Sequence, residues 1–214
     1  MDVRLRDEPP GRRWGVPPGQ PDPVPAVPSV PGESGAGSWL EERMFGQRLV
    51  LLQGPVDAAA ANRAAATLLT LDALGAEPIR LQVSAAHGDL TAVFALIDAL
   101  DAMRAPVHAT AIGEIGGAAV GVYAATHRRL AYPHSRFRLA EPGADGVSGT
   151  ADQVAAAAGR YLQALEDLMV RVAEVTGQPR SRVEDDFSTG RVFDATQARE
   201  YGLVDEIVPA ARRG

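Results

Sequence analysis

A chain of 214 residues, 46% of them hydrophobic, is long enough for one domain with its own core plus an extension. It has no cysteine and no lysine, all 21 basic residues being arginine; disulfides, thiol nucleophiles, thiolate metal sites, a Ser–Lys dyad, a Schiff base and a P-loop are therefore excluded. The net charge of −6 argues against general nucleic-acid binding, no apolar run is long enough to span a bilayer, and no signal-peptide core stands at the N-terminus, so a cytoplasmic protein is expected.

Residues 1–36 hold nine of the sixteen prolines, with Gly, Ser and mixed charge between them. Such a stretch cannot bury enough apolar surface to offset its ordering entropy. It reads as a disordered extension, with the folded domain at 37–210 and a short tail at 211–214. SWLEERMF reads as a short helix and Arg48 to Gln53 as a buried strand ended by Gly54-Pro55. Asp57 can cap a helix from Ala58 to Leu74 that Gly75 stops. A strand from Ile79 to Ser84 and the turn AAHGD lead to a helix from about Leu90 to Met103. Val93, Phe94, Ile97 and Leu100 recur there at three and four, which buries one face.

From Ala105 to Pro142 the chain places a strand (Val107 to Ile112) before a glycine cluster at Gly113, Gly116 and Gly117. A small-residue helix, Ala118 to Thr126, follows, then strand-like runs at Arg129–Tyr132 and Arg136–Leu139. Strand, glycine turn and buried helix present a backbone turn at the carboxyl edge of a sheet. In a hydrolase that turn carries a nucleophile, yet no Ser, Thr or Cys lies between Ala111 and Ala125.

Beyond the glycine-rich GADGVSG comes the longest helix, about Thr150 to Thr176. Tyr161, Leu165, Leu168, Val172 and Val175 form a narrow stripe for another helix, in this domain or in another subunit. Helices at Arg180–Phe187 and Ala195–Tyr201, the latter capped by Gly202, and a strand at Leu203–Val208 complete the chain. Strands alternating with helices of this length imply right-handed βαβ units and a mainly parallel sheet. The four histidines, at 87, 108, 127 and 134, have no metal-ligand spacing. His87 with Asp89 could serve as a general base on water, although a polar turn explains the pair as well. Asp185-Asp186 reads as a solvated face.

From about Trp39 to Val208 these segments resemble the ClpP-type proteolytic subunits of the Clp protease. RLVLLQGPVD is similar to that family's first strand and proline turn, and LQVSAAHGDLTA stands where the family has its Asn-Ser-Pro-Gly-Gly turn. TGQ at 176–178 and ATQAREYGLVDEIV resemble its C-terminal signature. The segment from Pro106 to Pro142 and the ending STGRVFDATQAREYGLVDEIVP also resemble crotonases, which share the fold. The long helix and the chain's running out near Val208 favour the Clp reading. The resemblance implies an α/β ClpP/crotonase-like fold: repeated ββα-type units around the sheet, with a protruding handle helix at about 150–176.

The resemblance also implies a Ser-His-Asp triad, in which a hydroxyl attacks, an imidazole moves the proton and a carboxylate orients the imidazole. Carried over one at a time, the nucleophile falls at Gly117, the histidine at Ala140 and the aspartate at Gly190. The backbone donors of the oxyanion hole fall at Gly88 and Ala118, with His87 in place of a preceding glycine, so that the turn is expected to differ. The expectation is therefore a catalytically degenerate subunit without metal or cofactor. It would stand in a seven-membered ring beside an active ClpP-type paralogue, docked by an AAA+ unfoldase, with peptide able to enter the pocket. Rings would stack in pairs through Tyr161, Leu165, Leu168 and Val172. The alternatives are a crotonase-fold activity on acyl-CoA or a similar thioester, using His87, Asp89 or Glu114, and a peptidase of unforeseen arrangement.

Overall fold

The computed structural model describes residues 33–143 and 148–209. Most of the expected extension, part of the glycine-rich run and the C-terminal tail lie outside these residues. In chain order the elements are α1 (Glu33–Gly46), β1 (Leu49–Gln53), α2 (Ala58–Leu74), β2 (Ile79–Ala85), α3 (Leu90–Ala102), β3 (Val107–Gly116) and α4 (Ala119–Ala124). Then come β4 (Arg128–Ala131), β5 (Arg136–Leu139), α5 (Ala151–Thr176), α6 (Arg180–Thr189), β6 (Arg191–Asp194), α7 (Ala195–Tyr201) and β7 (Glu206–Ile207). The first helix starts at Glu33, inside the stretch expected to be disordered. None of the described helices is long and apolar enough to cross a membrane.

Five strands run parallel in the order β1-β2-β3-β4-β7, as the alternation of elements implied. Val50, Leu52, Leu81, Val83, Val107 and Ala109 are buried and join the core with α2 to α5. The caps are local. The Ala60 N–H donates to Asp57 Oδ1, and the Gln153 and Gln197 N–H groups donate to Thr150 and Asp194 in reciprocal capping boxes. Left-handed glycines close α5 at Gly177, α6 at Gly190 and α7 at Gly202.

Three elements depart from expectation. β3 does not stop at Ile112 but runs to Gly116. It passes Gly113 in a left-handed conformation (φ +69°) while its pairing with β2 shifts register between Val83 and Ala85. An inserted residue bends a strand without ending it. β6, absent from the sequence reading, pairs antiparallel with β5. The ending expected as a strand from Leu203 to Val208 is strand only at Glu206–Ile207; Leu203 and Val204 are buried core residues instead.

The stripe on the long helix packs on its own domain. Leu165, Leu168 and Val172 are buried where α5 meets α3 and α4, so they are unavailable to a second subunit. A β-carbon at Gly121 would lie 2.5 Å from Leu168 Cδ1, a close approach that only glycine permits. Tyr161 is half-buried and its hydroxyl donates to the Pro142 carbonyl at 2.5 Å; burial, then the nearby Glu141, raises its phenol pKa. Ala151 to Arg160 is almost wholly exposed, and Val154 and Leu162 stand 41% and 62% exposed on one face.

Candidate functional site

β3 changes partner along its length. His108 to Ala111 pair with β4, whereas Glu114 to Gly116 pair with β5. The strands diverge at the carboxyl end of the sheet, the place where open parallel sheets bind ligands. Gly116 and Gly117 lead β3 out of this fork into α4.

The two glycines have different reasons. A β-carbon at Gly116 would meet the Ala86 carbonyl oxygen at 2.6 Å, so the backbone of the β2 end leaves no room for one. Gly117 has φ +55°, but its nearest neighbour, the Ala140 carbonyl oxygen, would be 3.8 Å from an added β-carbon. The elbow at 117 is thus a left-handed turn with space in front of it. Its N–H donates to the Arg138 carbonyl at 3.1 Å and its carbonyl accepts from the Val120 N–H at 3.2 Å, which ties β5 to α4.

Ala140 follows β5 directly, and the Glu141 N–H donates to the Phe187 carbonyl of α6 at 3.2 Å. That contact brings the end of α6 to the fork. Gly190 caps α6, and a β-carbon added there would lie 4.0 Å from Ala140 Cβ. Gly117, Ala140 and Gly190, drawn from three separate segments, therefore meet around Ala140. Between them they supply one methyl group: no hydroxyl to attack, no imidazole and no carboxylate.

Gly88 approaches from the other side. It bridges to Val56: the Val56 N–H donates to the His87 carbonyl, and the Asp89 N–H to the Val56 carbonyl. A β-carbon at Gly88 would stand 3.4 Å from the Ala119 nitrogen, so this turn lies against the start of α4. Among the described residues, the Gly88 and Ala118 N–H groups donate to no acceptor. His87 is exposed and does not force the turn open, because Arg48 is the only described non-glycine residue with positive φ.

The other polar candidates are otherwise engaged. Asp89 caps α3, accepting the Ala92 N–H at 2.8 Å, and no hydrogen bond joins it to His87. Glu114 faces Arg138 at 3.9 Å beside the fork. Ser135 is buried and donates to the Ala111 carbonyl at 2.8 Å, with His134 exposed beside it. His127 Nδ1 accepts the Val107 N–H, and His108 is half-buried on β3.

Asp185 is exposed as expected, but Asp186 is buried and accepts from Arg191 Nη1 at 2.9 Å. This ion pair spans the turn that carries Gly190. Tyr201 lies beside it, and burial, then the Asp186 carboxylate, pushes its phenol pKa far up. The sequence held no signal for this pair, because a helix-end Asp and the Arg five residues later read as surface charge.

Comparison with known proteins agrees with this architecture. The Clp protease family model matches residues 34–211. Over 193 residues the chain is 30% identical to ATP-dependent Clp protease proteolytic subunit 1 of Streptomyces coelicolor, covering 86% of this chain and 87% of that protein. It is 32% identical over 194 residues to ATP-dependent Clp protease proteolytic subunit-related protein 2, chloroplastic, of Arabidopsis thaliana, covering 88% of this chain and 69% of that one. It is 31% identical over 176 residues to proteolytic subunit 2 of Corynebacterium diphtheriae, covering 80% and 87%. The mainly parallel sheet, the forked third strand and the long helix that follows are therefore those of a ClpP-type proteolytic subunit, and the chain belongs to the Clp protease family.

Proposed function

We propose that this chain is a catalytically silent subunit of a Clp-type protease complex. It holds a place in a ring beside an active ClpP-type paralogue, in the cytoplasm, and the ring is served by an AAA+ unfoldase. One observation carries the reading. The positions that the resemblance assigns to nucleophile, base and orienting carboxylate are Gly117, Ala140 and Gly190, and they gather around a single methyl group. A serine peptidase that loses its nucleophile or base loses about as much as one that loses the whole triad, on the order of a millionfold in turnover.

The backbone part of the site remains. The free Gly88 and Ala118 N–H groups support an oxyanion-type hole that holds a peptide carbonyl without cutting the bond. The exposed first half of α5, with Val154 and Leu162, is the part of the handle left for contact with another ring. No geometry favours thioester chemistry, since Asp89 caps a helix and Glu114 faces Arg138.

The test is purified protein with short fluorogenic acyl-peptides and a fluorophosphonate probe, followed by native mass spectrometry with a ClpP-type paralogue. Neither cleavage nor labelling is expected, and mixed rings are. Robust cleavage that survives removal of co-purified host subunits would overturn the reading.

A further inference from the structure

β1 is an edge strand, paired only with β2. The Arg80 N–H donates to the Arg48 carbonyl and the Gly54 N–H to the Ser84 carbonyl, each at 2.9 Å. Peptide groups alternate sides along a strand. Arg48, Val50, Leu52 and Gly54 therefore turn theirs toward β2, and Leu49, Leu51 and Gln53 turn theirs away. Those outward groups have no partner among the described residues.

They do not face open solvent. A groove of about 810 Å³ runs along this edge between α1 and α2. Its apolar lining includes Met44, Phe45 and Ala64. Glu41 and Glu42 of α1 stand on one side and Arg63 of α2 on the other, and none of the three belongs to an ion pair among the described residues. An unpaired edge is a template for another strand. Here the template is roofed by helices, lined with apolar side chains and acidic along α1.

We propose that this groove is a strand-addition site, in which an extended segment of another polypeptide pairs with β1 and sets basic side chains against Glu41 and Glu42. Main-chain hydrogen bonds to Leu49, Leu51 and Gln53 hold the segment, and the alternation of its side chains fixes its face. Five residues of β1 span roughly 17 Å, so five to seven partner residues fill the edge. Charge complementarity selects the occupant: the acidic wall takes arginine or lysine on one face of the segment, and the apolar lining takes Val, Ile or Leu on the other.

The experiment uses the full chain and a fluorescein-labelled heptapeptide of alternating valine and arginine, read by anisotropy. Two further peptides carry N-methyl groups either on every valine or on every arginine. In an extended strand these two sets of amides face opposite edges, so one methylated peptide should lose at least tenfold in affinity and the other little. Glu41→Arg with Glu42→Arg should weaken the parent peptide at least tenfold without changing the melting temperature. Leu49→Pro, which removes an outward donor from a strand-initial position that tolerates proline, should weaken it as well. Retained binding by Leu49→Pro with an unchanged melt would overturn the proposal. So would equal effects of the two methylations, equally tight binding of an all-arginine heptapeptide, or no binding of the parent peptide.

Discussion

Leu168 of α5 occupies the place where a β-carbon at Gly121 of α4 would stand, its Cδ1 2.5 Å from that point, with Ile97 Cδ1 of α3 at 3.2 Å. α4 is the helix that leaves the elbow at Gly117, so this contact sets the elbow against the long helix. Leu168 is fully buried and cannot swing away cheaply. Gly121→Ala should therefore destabilise by about 1–3 kcal/mol, the usual cost of overpacking a filled core. Urea unfolding measures it, and Gly121→Ala combined with Leu168→Ala should recover part of the loss.

The long helix has two halves with different roles. Leu168→Asp should bury an unpaired charge and cost several kcal/mol, unfolding the domain rather than parting one ring from another. Val154→Asp with Leu162→Asp, both on the exposed half, should leave the melt unchanged and lower the assembly state by size exclusion. If Leu168→Asp gave folded single rings, the burial of the stripe in its own domain would be the wrong basis for assigning these roles.

Gly116 and Gly117 should behave as opposites. Gly116→Ala drives a β-carbon into the Ala86 carbonyl and should disrupt the end of the β2–β3 pairing, with a clear loss of stability. Gly117→Ser meets nothing nearer than 3.8 Å and pays only for its left-handed backbone, about 1–2 kcal/mol. It should fold and remain inactive toward fluorogenic peptides, because no imidazole stands at Ala140. Thermal melts of the two variants, read beside peptidase assays, separate the roles.

Glu166 of α5 binds Arg180 of α6, its Oε1 accepting from Arg180 Nε at 2.9 Å. Hydrogen bonding to Arg180 holds this carboxyl below its ordinary value of 4.5, and a group lowered on folding stabilises above its unfolded pKa. That contribution should be present at neutral pH and lost as the pH falls below 4.5 through the folded value. Denaturation from pH 7 to pH 3 should show a steeper decline in wild type than in Glu166→Gln.

Much of this architecture was legible because its signals are local. Asp57 and Gly75 bound α2 in the sequence as they do in the fold, and the absence of a nucleophile between Ala111 and Ala125 announced the empty elbow. The rest depended on partners distant in sequence. Gly113 reads as a stop, yet β2 and β5 hold β3 in line on both sides of it. Arg191 to Asp194 has no strand pattern of its own and becomes β6 by pairing with β5. The apolar spacing from Tyr161 to Val172 fits an external partner as well as an internal one, and only the position of α4 decides between them.

The gathering of Gly117, Ala140 and Gly190 bears on how such a subunit arises. None of the three supports a neighbour by more than a methyl, and two keep their backbone turns through glycine's own freedom. The shape of the fork is held instead by Gly116 against Ala86, by Gly121 under Leu168 and by the Asp186–Arg191 pair. Shape and chemistry are thus encoded by non-overlapping residues. A lineage could discard every reactive group, one substitution at a time, and never pass through a misfolded ancestor.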